Sequence, residues 1–520
     1  MSWWGSHRIL YKTRFEIVGI ALNINFQARK WLFLEGLAWI VAICYGGFYL
    51  YVAFRRITYS YDLDFIEDNM LMQAIQVSLG KPVYVPPNAN FVPQVYMPLY
   101  TVLSGWIFKL IAPSYLPMRL LSFSATLYSA ILIFLISRRL SDHTGIAFCA
   151  AALFLAGYRT TGGWYELARV DALYVMLTLA GAALLAHGKE HRCQLPLAGF
   201  ILALAFLTKQ NGLFFGLVVL LYLLFTIQWR ALAVAIPFAL ASILTILYWD
   251  KVSGGWFSIY VFKIAYLSPI DDQRVIATLK DDLFGSMAGL TTMFVVAGIS
   301  LIGHKRGKSV LMEPWNWFIG AALLISIAGR ASVGGNRNNL MPAYTFLCIA
   351  PALAAREIRL WRDSWQDLAR SGLFFFIIVQ FILTSWIPKY PPGFIPTSSM
   401  KSAGDQLIQR IAGVQGPVLV LMHPYYALLA GKEPAVDIQM LWHARLRGKE
   451  PLPDDFVNRI QNHYYAEIIS DESFFETQPD LQKLIAMDYV QAELLNASQA
   501  PRTNTGVIVQ PKRVYVPKEQ

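Results

Sequence analysis

The stretch YDLDFIED, Tyr61 to Asp68, gathers four acids, Asp62, Asp64, Glu67 and Asp68, in a chain where charge is otherwise scarce. If the stretch is helical, Asp64 and Glu67 stand three apart on one face. One carboxylate could then take a proton while the other holds a substrate or a cation. The competing reading is a solvated loop beside a membrane, since the acids follow an apolar run from Leu32 to Phe54. Further along, Lys209 closes the apolar run of LALAFLTKQNG, where its ammonium can grip a phosphate or merely snorkel to the boundary. Arg169 and Asp171, in LARVDALY, flank the start of another apolar run and are free to pair with each other, with the acids or with a substrate. Arg337, in GGNRNN, offers a planar guanidinium among residues that leave backbone N–H groups open, which suits an anion or a sugar. Arg119 reads as an interfacial anchor, and His423, His443 and His463 as ordinary polar residues.

These residues must be positioned by membrane helices. The chain of 520 residues is 56% hydrophobic and 15% charged, with a mean hydropathy of +0.44; ordinary soluble proteins carry about 25% charged residues. The expected class is a polytopic helical membrane protein. The net charge of +11 sits in short clusters between apolar runs, which points away from nucleic acid. The four cysteines, Cys44, Cys149, Cys193 and Cys348, lie in or beside apolar runs and show neither a disulfide framework nor zinc spacing. The first apolar run starts too late and runs too long for a cleavable signal peptide.

Arg8, Lys12, Arg14, Arg29 and Lys30 put the N-terminus in the cytoplasm, so the acids emerge on the opposite side. The apolar segment 96–111 is bounded by Pro98, Pro113 and Pro117 and contains Lys109; it is expected along the interface, because a crossing would turn Arg138 and Arg139 outward. The other runs are 118–137, 144–158, 170–187, 195–209, 212–228, 231–249, 284–303, 314–329, 340–355 and 371–387, about eleven spans with the first. Arg138/Arg139, Lys189/His191/Arg192, Arg230, the loop from His304 to Lys308 and the arginine-rich 356–370 loop then face inward. The acidic stretch and the loops 162–171, 208–212, 250–283 and 329–339 face outward, which puts all the candidate chemistry on one side. Pro388, Pro391, Pro392 and Pro396 mark a stiff exit into a polar tail. There PVLVLM, AVDI and YAEIIS read as strands and HPYYALLAG and DDFVNRIQNH as helices. The domains are thus 1–31, a cytoplasmic segment; 32–387, a transmembrane region whose first outer loop is about 57–117; and 388–520, a small α/β domain on the side of the acids.

The ordered series DLDFIED, QAIQVSLGKPVY, YMPLY, PMRLLS, ARVDALYVML, LAFLTKQNG and GGNRNNLMPAY, with the tail GPVLVLMHPYYALLAGKEPAVD, resembles the GT-C membrane glycosyltransferases. Within them it is similar to the bacterial branch related to protein O-mannosyltransferases and lipid A aminoarabinose transferase. The resemblance implies transfer of a sugar, hexose or pentose, from a polyprenyl-phosphate donor to a lipid, polysaccharide or protein hydroxyl, on the outer face of a bacterial inner membrane, usually with inversion. It further implies a catalytic acid at Asp64 or Glu67 and a donor phosphate held by Lys209, with Arg337 and Arg169 beside it. Substrate-binding roles fall to Asp62, Asp68, Tyr96, Asp171, Gln210, Asn336 and Asn338. The family's D-x-x-E-G pattern has Asp68 at its glycine here, so the choice of base stays open. No cofactor is implied beyond a divalent cation, for which no ligand set stands out. The rival class is a transporter or lipid flippase, whose repeated halves and charges within the spans are not found.

Overall fold

The computed structural model describes residues 6–187, 193–305, 308–385 and 393–519. The basic loop at Lys189, His191 and Arg192, the Arg306–Gly307 part of the following basic loop, and prolines 388, 391 and 392 lie outside the described residues. The first helix, α1 (Ser6–Ile57), runs unbroken through the basic N-terminal segment and its apolar portion. Then come α2 (Phe65–Ser78), α3 (Leu99–Phe108), α4 (Tyr115–Ser141), α5 (Thr144–Ala156), α6 (Val170–His187), α7 (Gln194–Thr208), α8 (Asn211–Ile227) and α9 (Leu232–Ser253).

Among the described residues four helical stretches are long and apolar enough to cross a membrane: Trp31–Ile57, Tyr115–Ser141, Asn211–Ser253 and Trp365–Ser385. The pair Asp272–Ser286 and Ala288–Gly303, bent by 88°, makes a fifth when its two helices are taken together as one span. The helices α3, α5, α6 and α7 are apolar but shorter. The 250–283 region, expected as a loop, is largely helical and includes π-helical turns at Ile259–Ile264 and Thr278–Ser286. At 10 residues, α3 spans about 15 Å, half of a hydrocarbon core about 30 Å thick, and it starts directly behind Pro98.

The helices pack by close approach. α7 lies on α6 and α9, and α4 on α5 and α6. At the α7–α9 crossing a Cβ on Gly199 would sit 2.2 Å from the Val234 carbonyl oxygen, so only glycine permits this contact. Basic residues of several loops gather together. At one end of the bundle His143 meets Glu35 at 3.7 Å, Arg359 donates to the Leu140 carbonyl at 3.0 Å, Arg356 pairs with Glu313 at 2.9 Å, and Arg370 lies over Trp31. These are the loops expected to face inward. The acidic stretch collects the others at the opposite end.

C-terminal to the helices, residues 398–517 build a four-stranded sheet from β1 (Val418–Val420), β2 (Glu467–Asp471), β3 (Tyr489–Leu494) and β4 (Pro511–Pro517), in the order β1-β2-β4-β3. β1 and β2 are parallel, with Leu419 opposite Ile468, and the other pairs are antiparallel. The AVDI segment is not a strand. Asp437 instead caps the helix Ile438–Ala444, its carboxylate accepting the Met440 N–H at 2.8 Å, a local bond that stops the chain from staying extended.

Candidate active site

Asp64 is the extended N-cap of α2, with φ −141° and ψ 131°, yet its side chain makes no capping bond. It turns inward, fully buried, and Oδ2 accepts a hydrogen bond from Arg169 Nη1 at 2.6 Å. Arg169 also donates from Nη2 to the Tyr96 hydroxyl at 3.0 Å and from Nε to Asp171 Oδ2 at 3.2 Å, with its guanidinium 4.6 Å from the centre of the Trp164 ring. Asp171 Oδ1 in turn accepts from Lys209 Nζ at 2.7 Å and from Asn338 Nδ2 at 3.0 Å. One chain of contacts thus joins Asp64, Tyr96, Arg169, Asp171, Lys209 and Asn338, drawn from five separate loops and helix ends. Its charge balances: two carboxylates face two cations.

The other carboxylates of the acidic stretch are spoken for. Glu67 accepts four bonds: Arg119 Nε at 2.9 Å and the Ala168 N–H at 2.7 Å on Oε1, and Arg119 Nη2 and the Leu63 N–H, both at 2.7 Å, on Oε2. Arg119 spends its remaining donors on the carbonyls of Arg56, Tyr59 and Tyr61. It is fully buried and clamps the loop after α1, so its expected role as an interfacial anchor is corrected. Asp62 accepts from the Tyr426 hydroxyl and lies 3.1 Å from His423 Nδ1. Asp68 accepts from the Tyr115 hydroxyl at 2.7 Å and the Tyr425 N–H at 3.1 Å. All four acids are buried, which rules out a solvated loop. His423 is likewise no ordinary polar residue: Asp471 faces its other nitrogen at 3.3 Å. Burial opposes a charge on it, but Asp62 and Asp471 outweigh that and hold its pKa well above the usual range.

The remaining expected residues sit around this core. Gln210 donates from Nε2 to the carbonyls of Val95 and Val261, fixing the turn that carries Lys209 against the one that carries Tyr96. Asn336 caps the turn at Arg337. Arg337 donates to the Thr160 carbonyl at 3.4 Å and pairs with Asp282, which Arg330 also approaches. The buried Arg56–Glu166 pair was not anticipated; Arg56 also binds the carbonyls of Phe394 and Gly163. Its only signal was a cation at the very end of the first apolar helix, where arginine is commonplace.

Burial pushes the Asp64 carboxyl up to about 7, against the opposing pull of Arg169. Its Oδ1 is buried and has no hydrogen-bond partner among the described residues. Also among the described residues, no group of three or more His, Cys, Asp or Glu could hold a metal ion. Beside the site runs an apolar groove of about 520 Å³, lined by Val77, Leu99, Trp106, Leu207 and Trp249 among others. Leu207 and Leu99 are near neighbours in sequence of Lys209 and Tyr96.

Residues 95–249, which include Tyr96, Arg119, Arg169, Asp171 and Lys209, match the family model of dolichyl-phosphate-mannose-protein mannosyltransferase. The fold is similar to that of ArnT from Cupriavidus metallidurans bound to undecaprenyl phosphate, at 13% identity over 92% of this chain and 97% of that one, with a TM-score of 0.56. The apo state of that ArnT gives 12% identity, 92% and 98% coverage and a TM-score of 0.55. The apo oligosaccharyltransferase of Archaeoglobus fulgidus gives 9%, 89% and 73%, and 0.50. No curated protein matches the sequence. The chain is therefore a polytopic helical membrane protein. Its fold is that of the GT-C glycosyltransferases, the superfamily that its motif series resembles.

Proposed function

We propose that this chain is a membrane glycosyltransferase that moves a sugar from a polyprenyl-phosphate donor to an acceptor hydroxyl on the non-cytoplasmic face, with inversion. The observation that carries the reading is the asymmetry of Asp64: one oxygen is fixed by Arg169 while the other is unpartnered. A carboxylate so held, with its pKa near neutrality, is matched to general-base work. Asp64 takes the proton of the acceptor hydroxyl. The acceptor oxygen bonds to the anomeric carbon as the bond from that carbon to the phosphate oxygen breaks, and the electron pair leaves with the lipid phosphate. Attack from the side of the anomeric carbon away from the phosphate inverts that carbon.

Lys209 and Arg169 meet the charge that grows on that phosphate. Each keeps N–H groups beyond those given to Asp171, Asp64 and Tyr96, and charge-assisted bonds to a phosphate are strong. The adjoining apolar groove suits a prenyl chain. Arg337 and Asn336 are rim contacts in this reading, and Asp62, Asp68 and Gln210 shape the site from behind. The outer face of a bacterial inner membrane, about eleven spans and a C-terminal α/β domain beside the acids belong to the same reading, supported by the segregation of basic loops to the far end of the bundle.

The test incubates purified protein with a panel of radiolabelled polyprenyl-phosphate sugars. Sugar-dependent release of lipid phosphate by the natural chain and not by Asp64→Asn is expected. Lipid flux through proteoliposomes with no transfer from any donor would instead favour the transporter.

A further inference from the structure

The residue before the base is tied to the far end of the polypeptide. The Leu63 carbonyl accepts the N–H groups of Asn504 at 3.1 Å and Thr505 at 2.9 Å. Arg56 Nη2 donates to the Thr505 hydroxyl at 2.9 Å, and Asn504 Nδ2 donates to the Phe394 carbonyl at 2.7 Å. This buried turn delivers Gly506, with φ +70°, directly over the acid. A Cβ there would lie 3.2 Å from Asp64 Oδ1, the oxygen with no partner, and 2.6 Å from Trp164 Cη2. The Trp164 indole N–H is buried and also lacks a partner among the described residues. Beyond Gly506 the chain returns to the surface, with Val507 41% and Ile508 40% exposed.

A buried acceptor and a buried donor without partners are each costly unless something supplies their bonds. A hydroxyl-bearing molecule supplies both kinds. Gly506 directly precedes the exposed Val507 and Ile508, and a side chain at this position would crowd the free oxygen of the base and the Trp164 ring.

We infer that the turn 503–506 forms one wall of the acceptor pocket, and that Gly506 is the positioning residue whose missing side chain keeps Asp64 Oδ1 within reach of the acceptor hydroxyl. The assignment of an acceptor rests on the glycosyltransferase reading, whereas access to Asp64 does not. Both are measured on the full chain in detergent, by labelling with dicyclohexylcarbodiimide at pH 6, below the value of about 7 to which burial raises Asp64, and by sugar transfer from the donor panel. Gly431→Ala is the control: Gly431 has nearly the same backbone, φ +72°, with no atom within 4 Å of a built Cβ, so it carries the backbone strain without the crowding.

The expected result is that Gly506→Ala lowers both Asp64 labelling, mapped by mass spectrometry, and transfer by about tenfold or more, while undecaprenyl phosphate binding is unchanged. Gly431→Ala should leave labelling and transfer within about twofold of the natural chain. Equal labelling of the Gly506→Ala and Gly431→Ala proteins would overturn the inference. If Asp64→Asn transfers sugar at the natural rate, the glycosyltransferase mechanism fails instead, and the labelling still judges the wall.

Discussion

Asp64 and Glu67 come from the same short stretch, are equally buried and each face an arginine, yet they end in opposite conditions. Glu67 accepts four hydrogen bonds and has no capacity left for a substrate. Asp64 accepts one, from Arg169, and keeps a bare oxygen. The difference lies in the backbone. Glu67 reaches back across the first turn of α2 to the Leu63 N–H, much as a capping-box glutamate does, whereas Asp64 gives up the capping bond its position offers. A helix start that leaves its cap residue unused has freed that residue for something else. Glu67 with Arg119 is a strut, and Asp64 with Arg169 is the reactive pair of the proposed mechanism.

The largest effect that would sharpen this contrast is on turnover. Asp64→Asn keeps the shape and one acceptor oxygen for Arg169 but cannot take a proton, so kcat should fall by about 10²- to 10⁴-fold with the protein still inserted and folded. Single-turnover transfer at saturating donor reads it directly. Next comes the donor side: Lys209→Ala removes one charge-assisted bond to the phosphate, and donor KM should rise by about ten- to a hundredfold. It also leaves Asp171 short of a counter-charge, so Asp171→Asn should be measured beside it to separate loss of the phosphate contact from disorder of Arg169. Unchanged KM in Lys209→Ala would remove it from the donor site.

Glu67→Gln should behave in the opposite way to Asp64→Asn. Removing its charge strands the fully buried Arg119, at a cost of about 3–5 kcal/mol in stability, while the molecules that remain folded transfer sugar within about threefold of the natural rate. Thermal unfolding and active-site-normalised turnover together distinguish the two. If Glu67→Gln instead kills turnover with no loss of stability, the roles assigned to the two acids are reversed.

The sequence made the reactive pair visible because charges flanking apolar runs stand out, and the convergence of Asp64, Asp171 and Lys209 followed from parity of the loops. The strut was hidden for the same reason: an arginine at the end of a span, such as Arg119 or Arg56, reads as a snorkelling anchor, and only the folded loop shows it pointing inward. In the C-terminal region β1 was legible as a continuous apolar run, and β2 as the short strand pattern YAEIIS. β3 was not, because most of it faces solvent, nor was β4, bounded by prolines at both ends. The Gly506 contact carries no local signal at all, since its meaning depends on an acid at the other end of the chain.

The smallest effect sets activity against stability at Asp64. Its carboxyl is held at about 7 by burial, against about 3.9 in an unfolded chain. The folded state therefore keeps a proton that the unfolded state releases, and stability drains away as pH rises from about 4 to 7 and levels off above. Catalysis has the opposite sign, because only the ionised form accepts a proton: the rate should rise about fivefold from pH 6 to 7 and less than about twofold from 7 to 8. Asp64→Asn is free of both effects, so its melting temperature should gain on that of the natural chain as pH rises towards 7 and then run parallel to it. A gap that stays constant across that range would mean that Asp64 is ionised throughout, and a rise in rate from pH 6 to 7 would then have to come from another group.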